Sequence, residues 1–136
     1  MKTLRPILFM IWLTLGLSIS PSAFAEQSIT LGQKAALQAA MQQHIQRNLI
    51  DGVYLQVDFK TGDVRNLHPL TAHPIILGMG KYYVLCSDFR DDQGKTVNVD
   101  FYIAPRGKAH VVFQTVIGDR ESLHKLMEMG RVKPVS

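Results

Sequence analysis

Few side chains in this sequence are equipped for chemistry: one cysteine, Cys86, five histidines, and a run of acids at Asp88, Asp91, Asp92 and Asp100. A Cys–His nucleophilic pair needs its partners within about 2.6–3.2 Å of each other. His44 and His124 fall in helical segments, and either meets Cys86 only if its helix covers the Cys86 face of the sheet. His68-Pro69 and His73-Pro74 invite a metal reading. A spacing of five places the two rings on opposite faces of a strand, and the prolines exclude a helix interior, so no two-ligand clamp is expected and the imidazoles read as solvated turn groups. A calcium loop starting at Asp88 would need an acid at its third position and Gly at its sixth; Arg90 and Gln93 stand there, so the acids are expected to serve a hairpin turn.

The elements that must position these groups follow from hydrophobic period. Thr30 and Gln33 make a capping-box pattern ahead of a helix whose apolar stripe is Leu37, Ala40, Met41, Ile45 and Leu49, with His44 at its edge. Asp51-Gly52 is expected to end that helix. The period then becomes 2: Val53, Leu55, Val57 and Phe59 alternate with polar residues, Lys60-Thr61-Gly62-Asp63 is a turn, and 64–67 is a second strand. Residues 68–80, broken by Pro69, Pro74, Gly78 and Gly80, predict an edge or a crossing loop. Strands are predicted at 82–89, 96–104 and 109–117, and a short helix with Asp119 as N-cap buries Leu123, Leu126 and Met127 and stops at Gly130. The fold class is α+β: one long N-terminal helix on a 4–6-stranded antiparallel meander, with a short C-terminal helix.

Pairing register follows from which residues share the buried face. The loop ending in Gly94 sets Phe89 opposite Val97; a three-residue loop at Arg106-Gly107-Lys108 would set Phe101 opposite Phe113. The other face then carries the rows Cys86, Asp100, Gln114; Asp88, Asn98, Val116; Val84, Tyr102, Val112; and Tyr82, Ala104, His110. On these registers His110 lies roughly 16 Å from Cys86, too far for catalysis. The candidate ligand or interface face is Asp88, Asn98, Asp100, Tyr102 and Gln114, with Cys86 the candidate reactive thiol. No metal site and no catalytic residue is assigned.

The 136 residues carry 15 Lys+Arg against 11 Asp+Glu. The N-terminal part reads as a secretory leader: Lys2 and Arg5, an apolar stretch over 7–17 too short to span a bilayer, then Ala23-Phe24-Ala25. Cleavage after Ala25 leaves a single domain at 26–136, without the only Trp and with 13 basic residues against 11 acidic. That balance, without a run of like charge, argues against nucleic acid. The expected compartment is a bacterial periplasm or the exterior, where a lone Cys86 has no intramolecular partner.

The order of elements, helix then meander, resembles the cystatin-like and NTF2-like rolls across most of the mature chain. Gln114-Thr115-Val116-Ile117-Gly118 also matches the Q-x-V-x-G pattern of cystatin protease inhibitors. In that family the motif occupies an early hairpin loop, whereas here it ends a late strand; the Trp that resembles the second cystatin contact loop is lacking too. No phosphate-cradling Gly loop, paired catalytic acids or serine elbow is present, so no cofactor is expected. The expected function is a small exported binding or interaction module, non-enzymatic, taking a small ligand, a protein or its own copy. The alternative is an enzyme with an NTF2-like cavity using Asp88 or Asp100 as acid/base. A homodimer would rest on the stripe Tyr82, Val84, Tyr102 and Val112.

Overall fold

A computed structural model describes residues 28–135; the leader expected at 1–25 lies outside them. Helix α1 (Leu31–Arg47) starts as its capping box dictates: the Thr30 hydroxyl accepts from the Gln33 N–H at 3.1 Å, and the Gln33 side chain accepts from the Thr30 N–H at 2.9 Å. Its stripe buries Leu37, Met41 and Ile45, each contributing about 1.5–3 kcal/mol relative to exposure. The helix ends three residues earlier than Asp51-Gly52 requires. Asn48 caps it, and Leu49 already belongs to β1 (Leu49–Ile50), which pairs with β2 (Val53–Val57). Asp51 and Gly52 both have positive φ, 51° and 83°, so this dipeptide makes the two-residue hairpin turn whose twist suits flanking strands.

The antiparallel sheet runs β1-β2-β3-β4-β5-β6, with β3 at Val64–Met79, β4 at Tyr82–Asp91, β5 at Thr96–Arg106 and β6 at Ala109–Ile117. Helix α2 (Arg120–Glu128) follows on its Asp119 cap, and β7 (Lys133–Pro134) pairs with the end of β3. The α+β class and the meander agree with the sequence. Of the two expectations for residues 68–80, the edge fits and the crossing loop does not: residues 68–79 are the greater part of β3. The proline argument survives in altered form, because β2 pairs only as far as Leu67 and β7 begins only at Leu77. Pro69 and Pro74 fall in the interval where β3 has β4 alone as a neighbour, so their missing N–H groups break no ladder on the free side. The strand is irregular there, at Leu70 and across 73–75.

The sheet has two differently covered faces. On the inner face α1 packs against Leu67, Ile76, Leu85, Phe89, Val97, Val99, Phe101 and Ile103, the main core. On the outer face α2 places Leu123 over Leu77, Val84, Cys86 and Tyr102, with Val132 completing a second, smaller cluster. α2 spans nine residues, roughly 14 Å at 1.5 Å per residue, and covers only the end of that face nearest the β3–β4 turn. In β2 it is Tyr54 that turns inward, edge-on to Phe89; Leu55 and Val57 point outward and are exposed, as is Phe59 beyond the strand.

Candidate functional site

The β4–β5 register places Phe89 opposite Val97, Asp88 opposite Asn98, Cys86 opposite Asp100 and Val84 opposite Tyr102, as the sequence predicts. The β5–β6 register does not follow the sequence. Gly107, at φ 62°, opens a two-residue turn, so Arg106 faces Ala109; a bulge then inserts Phe113 between the pairs Tyr102–Gln114 and Ile103–Val112. Asp100 therefore lies beside Val116, and Gln114 beside Tyr102. Phe113 moves to the outer face, where it packs on Tyr82 and Tyr102, and His110 moves to the inner face, edge-on to Tyr83.

The five residues of the candidate face fall into three environments. Asp100, 2% exposed, and Tyr102, 7% exposed, lie beneath α2. One Asp100 oxygen, Oδ1, has no hydrogen bond, and the Arg120 guanidinium of α2 approaches it only to 3.8 Å. Cys86 shares this layer, with Arg120 Nη1 3.8 Å from its Sγ. Burial, and then the Asp100 carboxylate opposite, push the thiol up to about 12 against a weaker opposing effect of Arg120, so thiolate is scarce at neutral pH. α2 is thus the helix that covers Cys86, yet what it presents there is Arg120, while His124 is exposed. The stripe Tyr82, Val84, Tyr102 and Val112 is divided: Val84 and Tyr102 are in the α2 cluster, and Val112 packs on the inner core.

Asp88 and Asn98 stand clear of α2, half-buried on the outer face. Asn98 Nδ2 donates to Asp88 Oδ1, and His73 Nε2 lies 3.1 Å from Asp88 Oδ2. A second pair sits further along the same face: His68 Nε2 is 3.0 Å from Asp92 Oδ1, whose other oxygen accepts from Asn66 at 2.9 Å. These contacts, His68 first, hold the Asp92 carboxyl below its usual range. Both His-Pro histidines therefore meet aspartates on one face, Asp88 of β4 and Asp92 of the turn that follows it. Strict alternation would have separated them; the irregularity of β3 at Leu70 restores the common side. Sequence reasoning missed this pairing because a bulge leaves no signature in a parity count.

Gln114 is exposed on β6, away from this strip. The Q-x-V-x-G segment ends β6 and leads into the Asp119 cap of α2, with the Gly118 N–H donating to Asn98 O at 2.8 Å. Apolar exposed side chains adjoin the strip at one end: Leu55 opposite Asn66, and Val57 opposite Val64. The arrangement presents oriented acceptors and amides beside an apolar end, a composition suited to holding a polar group of a partner. Among the described residues no group of three or more His, Cys, Asp or Glu is arranged to hold a metal ion. No family model, curated protein or solved structure matches the chain.

Proposed function

We propose that the mature chain is a small exported binding module, non-enzymatic, which engages a protein partner on the part of the outer sheet face that α2 leaves open. The reading rests on one observation: the strip His73–Asp88–Asn98 and His68–Asp92–Asn66 is organised by mutual hydrogen bonds but not covered, with Leu55, Val57 and Val64 beside it. Each Asp88 oxygen has one partner and keeps acceptor capacity, so a basic or amide side chain flanked by an apolar one complements the patch. Export is inferred from Lys2, Arg5 and Ala23-Phe24-Ala25. A benzophenone side chain introduced at Thr71, on this face, is expected to give one defined adduct in periplasmic extract, lost on Asp88→Ala; the same probe at Gln42, on the solvent side of α1, gives none. Equal adducts from both positions sink the proposal.

The His73–Asp88 contact favours a second reading, an enzyme with Asp88 as acid/base. It requires a turnover that both Asp88→Asn and His73→Gln abolish while the Thr71 adduct persists.

A further inference from the structure

A cleft of about 200 Å³ lies on the opposite side of the sheet, where the last turns of α1 meet the β5–β6 hairpin. Its walls are His44, Arg47 and Asn48 from α1 and Arg106 and His110 from the hairpin; Ala40, Val111 and Val112 supply apolar surface. Two guanidiniums and two imidazoles line it and no carboxylate does. Arg47 has a structural role as well, since its Nε donates to Gln43 O at 3.1 Å and its Nη2 to Gln43 Oε1 at 3.3 Å, a suitable place for a cation at a helix C-terminus. The Arg106 side chain has no such role: among the described residues its guanidinium makes no hydrogen bond or ion pair, although its backbone pairs with Ala109. His44 has its Nε2 beside Thr115 Oγ1 at 3.3 Å, which fixes the ring, and burial followed by the charge of Arg47 lowers its pKa. The residual negative end of α1 is offset by Asn48, whose N–H and side-chain amide both reach α1 carbonyls.

We infer that this cleft binds a small organic oxyanion, a carboxylate or phosphate held by Arg106 and Arg47 with a short apolar portion against Ala40 and Val112. A guanidinium fork matches either anion in two parallel hydrogen bonds. The volume is below the roughly 300–1,000 Å³ of sites for drug-sized molecules, which limits the ligand to a compact anion. The test is an amide-resonance titration of the folded protein with sodium phosphate and, separately, sodium butyrate, against sodium chloride at matched ionic strength. Saturable shifts at Ala40, His44 and Val112 with one salt but not with chloride support the site, and the salt that saturates identifies the anion class. Arg106→Gln is then expected to weaken binding about tenfold or more, the loss of one charge-assisted pair. Lys108→Gln, in the same turn but outside the cleft, leaves it unchanged. Shifts that match chloride, or equal weakening by both substitutions, overturn the inference in favour of general surface charge; Arg47→Gln provides a second variant if Arg106→Gln perturbs the hairpin.

Discussion

At the scale of single residues, one of the acids near the β4–β5 turn serves the hairpin as the sequence predicts, Asp91, while Asp88 and Asp92 hold side chains of neighbouring strands instead. The Asp91 Oδ1 accepts from the Lys95 N–H at 2.8 Å and the Gln93 N–H at 3.1 Å, while its Oδ2 meets Arg65 at 3.2 Å. The Lys95 bond leads these effects, which hold the carboxyl below its usual range. A carboxyl whose folded pKa is depressed stabilises the fold fully above its unfolded value, about 3.9, and loses that contribution as pH falls through the folded value. Asp91→Asn is accordingly expected to lower Tm at pH 7, with the difference from the parent shrinking below about pH 3.9 and vanishing once Asp91 is protonated in both states. Thermal melts across this range check it, and a difference independent of pH would assign the loss to geometry. The cysteine, by contrast, was not interpretable from sequence: its exposure depends on α2, a contact made 37 residues downstream by Leu123.

At the scale of elements, local chemistry determined what could be read. The capping box, the Asp119 cap and the Gly94 turn each depend on a few adjacent residues, and α1, α2 and the β4–β5 register follow them. The β5–β6 register depends on which of two loop lengths Gly107 serves and on a bulge at Phe113, and neither is set by alternation. For that reason alternation alone groups Gln114 with Asp100 and His110 with Tyr82, whereas the chain sets Gln114 beside Tyr102 and His110 on the inner face. α2 is held by a small cluster, so it is the element expected to open first. Leu123→Ala, at about 2–5 kcal/mol for a buried leucine, should speed labelling of Cys86 by a disulfide reagent. In the parent the thiol, pushed up to about 12 by burial and Asp100, supplies little thiolate at pH 8 and is labelled slowly. Leu37→Ala, of similar cost on the α1 face, is expected to speed labelling much less at equal global stability; equal acceleration would mean that Cys86 is reached only through complete unfolding.

At the scale of the whole molecule, the sheet's open surfaces are protected in ways that bear on its state in solution. The unpaired stretch of β3 carries Pro69, Pro74 and two irregularities, features that deter addition of another strand, so the exposed Leu70 and Ile75 there are poor templates for aggregation. The face left open by α2 carries Asp88, Asn98, His68 and His73 over its middle, with exposed apolar side chains at the β2–β3 end and at Phe113 of β6. The proposed export has a direct spectroscopic consequence. The only Trp lies at position 12, within the proposed leader, whereas Tyr54, Tyr82, Tyr83 and Tyr102 all lie beyond the proposed cleavage point. Protein recovered from the periplasm is expected to start at Glu26 by intact mass and to emit as tyrosine alone. Precursor left uncleaved by replacing Ala23 and Ala25 with bulky residues should keep its Trp emission. A Trp signal in the periplasmic fraction, with a mass that includes residues 1–25, would overturn cleavage after Ala25, and recovery of the protein in the cytoplasm alone would remove the export on which the partner-binding proposal rests.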